Sequence, residues 1–339
     1  MEYIKKGVPQ YKANLHSHTV LSDGKLTPEQ MKQAYRDRGY SILAITDHEH
    51  PVDHSDLTEP DFLMLTGYEA YIRTNQECRM DIYAPEIHIN LLARDPHNTA
   101  YINFNESYCK YIKDPEERAH LQKVGSQAPR EYTVSYGNQF IQTALQNGYI
   151  CAYNHPVWSM EDLNTIMQYK GLFSMEMCNY SSYLQGHLEY NGALYDTLLR
   201  KGRHLFTHSS DDNHNKFPFD SPRNDSFGGF TMILSDALTY DSVFHALETG
   251  RFYSSMGPLI HALTIEGKNV HIETSSAQQI TMHYGTKRPL YAVGTREEPV
   301  TQADFVIPEQ AQYVRFSVCD FEGKFADTRG FFREELDQF

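Results

Sequence analysis

The stretch Tyr11-Lys12-Ala13-Asn14-Leu15-His16-Ser17-His18-Thr19, followed by Ser22-Asp23-Gly24, sets the reading of this chain. Tyr11 to Leu15 has an apolar tendency and no internal Gly or Pro, which predicts a short strand. Side chains alternate along extended backbone, so His16 and His18 point the same way. Two imidazoles on one face, with the Asp23 carboxylate across a turn, can converge on a metal ion. The residues after this motif have the rhythm of an α/β protein. Thr27-Pro28-Glu29-Gln30 opens a helix, with Thr27 as N-cap, Pro28 at the first helical position and Gln30 closing a capping box. That helix runs to about Arg38 and stops at Gly39. Ser41-Ile42-Leu43-Ala44-Ile45-Thr46 is then a strand ending in Asp47-His48. Strand, helix, strand, with polar groups at the strand's carboxyl end, is how an α/β barrel builds an active site.

The pattern continues along the chain. Phe62 to Glu69 reads as a strand that delivers a carboxylate, and Ile87 to Leu92 as one carrying His88. Residues Asp95 to Arg130 break the rhythm: they are polar, rich in Asn, Tyr, Lys and Glu, with a helix expected around Pro115 to Val124. Such an insertion is a lid or substrate wall, or else a surface elaboration. Regularity returns with a helix near Gly137 to Gln146 and the strand Tyr149 to Tyr153, ending in Asn154-His155-Pro156. A helix near Met160 to Gln168 leads to the strand Leu172 to Met177, which carries Glu176. A helix over roughly Leu188 to Lys201 precedes Leu205-Phe206-Thr207 and the cluster Asp211-Asp212-Asn213-His214. A strand over Phe227 to Leu234 and a helix over Tyr240 to Thr249 come next. Beyond Gly257-Pro258 apolar and polar residues alternate in short bursts, as in Tyr313-Val314-Arg315-Phe316-Ser317-Val318, the period-two signal of half-buried antiparallel strands. The domain reading is therefore 1–257, with an insertion at about 95–130, and a small all-β unit at 258–339.

Composition bounds the function. The chain has 339 residues, 40% hydrophobic and 22% charged, as expected for a soluble globular protein with a sizeable core. No stretch approaches the roughly 18 consecutive apolar residues of a membrane span, and the opening residues lack the apolar core of a signal peptide, so a cytoplasmic location is expected. A formal net charge of −14 argues against binding long nucleic acids, which takes a basic surface. The five cysteines, Cys78, Cys109, Cys151, Cys178 and Cys319, are odd in number and form no Cys-x-x-Cys pair. They are expected to be reduced, with Cys151 and Cys178 in buried strands. The 17 histidines are the unusual feature.

Taken in order, the candidate metal ligands are His16, His18, Asp23, His48, Glu69, His88, His155, Asp212 and His214. Mixed imidazole and carboxylate donors without thiolates suit Zn²⁺, Mn²⁺ or Fe²⁺ at a reactive rather than a structural site. The ordered set His16-Ser17-His18, Asp23-Gly24, Thr46-Asp47-His48, Glu69, His88, Asn154-His155-Pro156 and Asp212-Asn213-His214 closely resembles the PHP family, named for its polymerase and histidinol phosphatase domains. The resemblance spans roughly residues 11 to 257. It implies a distorted (β/α)7 barrel with up to three metal ions per chain, and the tail, with Gly250-Arg251-Phe252-Tyr253 and Gly257-Pro258, looks like members with an appended β-sandwich. It further implies a first ion held by His16, His18, Glu69 and Asp212, a second by Glu69, His88 and His155, and a third by Asp23, His48 and His214. Glu69, Asp212 and His214 are then expected at the catalytic centre, with Asp47 orienting neighbouring ligands. Glu176 and Arg223 are candidates for substrate binding, and Arg130 and Lys123 of the insertion are further basic candidates that also read as solvated charges.

The activity this implies is hydrolysis of a small phosphorylated molecule, of nucleotide or sugar phosphate type, by a metal-activated water. The same ligands also suit attack on a non-phosphate ester, carbamate or amide, and a third alternative is a non-catalytic module that binds a partner through its β unit.

Overall fold

The computed structural model describes residues 1–74 and 80–338; Cys78 lies outside them. The first helix, Pro28–Arg36, begins with the reciprocal capping box. The Thr27 hydroxyl accepts from Gln30 N–H at 3.3 Å, and the Gln30 side chain accepts from Thr27 N–H at 3.0 Å. The helix buries Met31 and Tyr35 in the same core as Leu43 and Ile45 of the strand Ile42–Ile45, and Tyr35 O–H accepts from Asn14 Nδ2 of the strand Gln10–Asn14 at 3.0 Å. These strands belong to one large mixed sheet. Its order in space is Phe206–Ser210, Leu172–Asn179, Tyr149–Tyr153, Glu86–Ala93, Leu63–Arg73, Ile42–Ile45, Gln10–Asn14, Phe230–Leu234 and Phe252–Ser255. Helices Val134–Gln146, Gly192–Arg200 and Tyr240–Glu248 bury their apolar faces against it.

Two features correct the barrel expectation. First, Glu86–Ala93 runs antiparallel to Leu63–Arg73. Parallel neighbours need a crossover of a dozen or more residues, usually a helix, and the connection 74–85 has no helix among its described residues. Second, the sheet does not close. The edge strand Phe206–Ser210 returns beside Phe230–Leu234, but that strand has already spent both its backbone edges, on Gln10–Asn14 and on Phe252–Ser255. What joins them is a side chain: Thr231 Oγ1 accepts from Ser209 N–H at 3.2 Å and donates to Ser209 C=O at 2.8 Å.

Some elements are shorter than expected. The 160–168 helix is Leu163–Ile166, capped by Asp162, and the 188–201 helix starts only at Gly192. Leu188 is left-handed, and Tyr190 instead bridges to Cys178. In the insertion the helix is Pro115–His120, and Lys123–Val124 pairs with Tyr101–Ile102 as a strand. Cys109, Cys151, Cys178 and Cys319 are unpaired thiols, with Cys151 and Cys178 buried in strands. No helix of the described residues is long and apolar enough to cross a membrane.

Beyond Gly257-Pro258 the backbone is nearly all β. Ile260–Glu266, Asn269–Ala277 and Val300–Val306 form an antiparallel sheet that also recruits Glu2–Ile4 from the start of the chain. Their burial alternates along most of each strand, with a break at Ala262-Leu263 where the register shifts. The facing layer, Gln279–His283, Tyr313–Cys319 and Phe325–Thr328, is continuous with the large sheet through the pairing of Phe252–Ser255 with Phe325–Thr328. One core, including Tyr35, Leu43, Tyr253, Val270, Ile280 and Phe316, therefore runs across the Gly257-Pro258 position.

The alternation in Tyr313 to Val318 does not leave a wet face. Tyr313, Arg315 and Ser317 are also buried, because that face packs on helix Gly192–Arg200. Arg315 bonds Asp196 through Nε at 2.9 Å and a terminal nitrogen at 2.7 Å, and Asp327 through the other terminal nitrogen at 2.6 Å. Truncating Arg315 strands the buried Asp327 and the part-buried Asp196 without their cation. Arg315→Ala is expected to lower stability by about 3–5 kcal/mol in urea denaturation, while Arg296→Ala, at an exposed pair with Glu322, changes it by less than about 1 kcal/mol.

Candidate metal centre

The donors gather along one rim of the large sheet. His16 and His18 follow Gln10–Asn14, Asp47-His48 follows Ile42–Ile45, His155 follows Tyr149–Tyr153, and Asp212 follows Phe206–Ser210. Glu69 lies inside Leu63–Arg73. His88 comes near the start of its strand, yet the reversed direction of Glu86–Ala93 sets it opposite Tyr71, at the same rim.

Three overlapping groups result, each with its donor atoms within 4.8 Å of one another: His16, His18, Glu69 and Asp212; His18, Asp23, His48 and His214; and His48, Glu69 and His88. The first is the quartet that the resemblance implies. In the others His18 and His48 bridge between groups, and His155 approaches from the side, with Nε2 3.3 Å from Glu69 Oε1. Glu69 is the hub. Its carboxylate lies 2.8 Å from His48 Nδ1, 2.9 Å from His88 Nδ1 and 3.4 Å from both His16 Nε2 and His18 Nε2.

Hydrogen bonds do not account for the whole cluster. The Nε2 atoms of His16 and His18 face each other at 3.2 Å. His18 Nδ1, His48 Nδ1, Glu69 Oε2 and Asp23 Oδ1 are buried yet make no hydrogen bond. Buried polar atoms are almost always partnered, and orphaned imidazole and carboxylate atoms converging on one volume are what a metal site leaves when described by protein atoms alone.

A surrounding layer of hydrogen bonds fixes the donors. Glu176 Oε1 meets His16 Nδ1 at 2.9 Å, which turns Nε2 toward Glu69. The other Glu176 oxygen accepts from the His155 N–H at 2.7 Å and Asn179 Nδ2 at 2.9 Å, and the Ser210 hydroxyl also donates to this carboxylate. Glu176 thus stands fully buried behind the donors, not on an open substrate wall. The Asp47 carboxylate acts from further back: it accepts from Thr19 N–H at 2.7 Å and from the Thr19 and Ser22 hydroxyls, folding the loop that carries Asp23. Gly24 permits that fold, since a Cβ there would lie 2.2 Å from the His18 carbonyl oxygen. His214 Nδ1 donates to the Asp212 carbonyl at 3.0 Å, leaving Nε2 3.3 Å from Asp23. His155 and Asp212 both hold positive φ, 25° and 52°, a strained backbone that neighbouring bonds must sustain.

Further groups support the donors from behind. Asn154 Nδ2 donates to Glu69 at 2.7 Å, and Asn179 Nδ2 to Asp212 at 3.1 Å. Asp225 accepts from His214 N–H at 2.8 Å. Glu49, directly after His48, forms a fully buried forked pair with Arg130 and accepts from Tyr101 O–H at 2.7 Å. Arg130 is therefore neither a substrate group nor a solvated charge: it ties the insertion to the centre. Lys123 lies over Phe104, 4.0 Å from the ring centroid. The insertion also places Tyr111 roughly parallel to His48, 6.2 Å between centroids.

The open side is the Asp23, His48 and His214 end, where the side chains keep some exposure while His16, His18 and Glu69 have none. Beside it lies a cavity of about 520 Å³ lined by Ser181, Gln185, His214, Lys216, Phe217 and Arg223 among others. The Arg223 guanidinium sits 3.9 Å from the Phe217 ring centroid.

Without ions, protons must balance the buried carboxylates. Burial alone would raise Glu69, but the positive field of His16, His88 and His48 holds it well below the usual range. Burial alone would lower His88, but Glu69 and Glu86 hold it up at about 9. Burial, then His48 and His214, push His18 down to about 4.

A group whose folded pKa is raised stabilises the fold below its unfolded value and loses that contribution as pH rises through the folded value. In EDTA-treated protein the His88 contribution is thus full below 6.5 and lost through about 9. Stability from denaturant unfolding is expected to fall across that window. Saturating Mn²⁺ reverses the slope, because ligation requires unprotonated imidazole.

No protein-family model matches the chain, and no curated protein does. Among solved structures it is similar to a two-domain protein from Bacteroides vulgatus containing a predicted PHP-like metal-dependent phosphoesterase, at 15% identity over 94% of each chain and a TM-score of 0.45. A provisionally named metal-dependent phosphoesterase from Bifidobacterium adolescentis matches at 15% identity over 71% of this chain and 96% of that one, with a TM-score of 0.41. An amidohydrolase from Chromobacterium violaceum, with bound sulfate and no metal, matches at 17% identity over 60% of this chain and 87% of that one, with a TM-score of 0.40. At these TM-scores the likeness carries no weight on what the centre does, which rests on its own residues.

Proposed function

We propose that this chain is a metal-dependent hydrolase that cleaves a phosphate ester of a small molecule, using up to three divalent ions of the Zn²⁺, Mn²⁺ or Fe²⁺ type. The observation that carries this reading is the placement of Lys216 and Arg223, with Asp225 as the one carboxylate beside them, on a cavity that shares His214 with one of the three donor groups. A cationic wall beside a metal centre suits a tetrahedral dianion far better than a neutral carbonyl substrate. Divalent ions held there supply a nucleophilic water of lowered pKa and neutralise phosphate oxygens.

The chain's own residues supply position and exclusion. A phosphate entering by the cavity meets His214 first, at the partly exposed end of the centre that also holds Asp23 and His48. Lys216 and Arg223 hold its oxygens or those of the leaving group from the outer wall. His16, His18 and Glu69 close the inner end against bulk water. The net charge of −14 makes this local positive patch the selective element. It favours a small anion over a polynucleotide, which needs an extended basic surface.

The test is inorganic phosphate release from a panel of nucleotides and sugar phosphates by Mn²⁺-loaded protein. Release is expected from one class, lost by orders of magnitude in His16→Ala or Glu69→Ala with the fold retained. Silence on the whole panel, with turnover of a carbamate or amide, would replace this reading with carbonyl hydrolysis. Arg223→Ala and Lys216→Ala are each expected to raise KM roughly tenfold or more, the worth of a charge-assisted hydrogen bond, with kcat less affected; an unchanged KM in both would remove the cavity from the substrate path.

A further inference from the structure

His155 is the expected donor that lies outside the three groups, beside them. It follows its strand on a left-handed backbone, φ 25°, and leads into a turn, not a helix. Isolated, that turn would leave consecutive N–H groups unsatisfied. They are not: Val157 N–H donates to Glu189 Oε1 at 2.9 Å and Trp158 N–H to Glu189 Oε2 at 2.8 Å. Asn191 Nδ2 steadies the same carboxylate at 2.8 Å. Glu189 is fully buried and lies against no cationic side chain in these bonds, so two backbone dipoles and one amide compensate its charge.

Glu189 sits at the neck of a loop. Asn179 N–H donates to the Glu189 carbonyl at 3.3 Å, and Asn191 N–H to the Met177 carbonyl at 2.7 Å, so the chain leaves its strand and returns to the same point. Between these pins, Ser181, Leu184 and Gln185 line the cavity beside His214. One short segment thus touches the cavity at its tip and the His155 turn at its base. Trp158, packed edge-on 4.8 Å from His155 and 5.1 Å from His88, is the only tryptophan in the chain.

We propose that Glu189 is a positioning residue of the metal centre: by gripping the Val157 and Trp158 N–H groups it sets His155 against Glu69 and links that donor to the cavity wall at Ser181 to Gln185. The inference rests on the metal reading of the centre and not on the phosphate ester. Glu189→Gln keeps the shape but aims an amide NH₂ at one of the two N–H groups, so only one bond survives.

The experiment is a Mn²⁺ titration of EDTA-stripped protein, followed by Trp158 emission and by ions bound per chain, for the wild type, Glu189→Gln and Asn191→Ala. In Glu189→Gln one class of Mn²⁺ is expected to bind roughly tenfold to hundredfold more weakly, as for other outer partners of metal ligands, with the remaining ions held as in the wild type. Its ion-free Trp158 emission shifts to longer wavelength as the indole loosens into water. Asn191→Ala, which keeps the carboxylate but frees it to turn, shows a smaller loss in the same class. Wild-type affinity for every ion with unshifted emission in Glu189→Gln overturns the proposal. So does uniform loss of all ions in that variant, or its failure to fold, when Asn191→Ala binds like the wild type. Turnover plays no part: a wild type that binds Mn²⁺ but hydrolyses no phosphate ester refutes the proposed activity and leaves this inference standing, whereas one that binds no Mn²⁺ overturns both.

Discussion

A single carboxylate with no access to water, Glu69, is the constraint on which the rest of this molecule depends. An isolated buried charge is prohibitively unfavourable, so the fold must surround it with positive charge, and it does so from every side. His16 and His18 approach from one strand end, His48 from the next, His88 from the reversed neighbour and His155 from the strand beyond. The strands that lead to His48, His88 and His155 are wholly buried, and Gln10–Asn14 is buried at the end next to His16. Protons can neutralise this assembly, but only by leaving ring nitrogens and carboxylate oxygens without hydrogen bonds. Divalent ions would satisfy the same atoms without that defect.

The layer behind the donors explains how so many charged groups share so small a volume. Glu176, Asp47, Glu86 and Glu189 each receive at least one backbone, hydroxyl, amide or imidazole donor, and each therefore fixes a neighbour's orientation. The strand Leu172–Asn179 is instructive. It lends no donor to the three groups, yet Glu176 and Asn179 reach His16, His155 and Asp212 from it. The backbone strain at His155 and Asp212 sits where this support is densest, as expected when surrounding contacts over-determine a few residues.

The part of the chain after Gly257 is bound into the same architecture. Its strands continue the large sheet, its apolar residues share the core, and Arg315 is buried between an aspartate of the helical layer and one of its own. Lys324 lies over Tyr180 and Tyr183, next to the loop that lines the cavity. The β region and the donor rim are thus mechanically connected.

The sequence alone determined where most local elements begin and which imidazoles and carboxylates to look for together. Thr27 and Gln30 specify a helix start within their own hydrogen bonds, and His-x-His at a strand end declares its direction because side chains alternate. Period-two alternation in Ile260 to Val306 likewise states which face is buried. Such signals are readable because cause and effect lie within a few residues. Only the tertiary structure decided that the sheet stays open, because whether Phe230–Leu234 has a free edge depends on which strands reach it first. It decided that His88 belongs at the rim, through the reversal of Glu86–Ala93. It decided that Arg130 and Glu176 are buried supports, because burial is a property of what packs around a side chain, and their partners Glu49 and His16 lie far away along the chain.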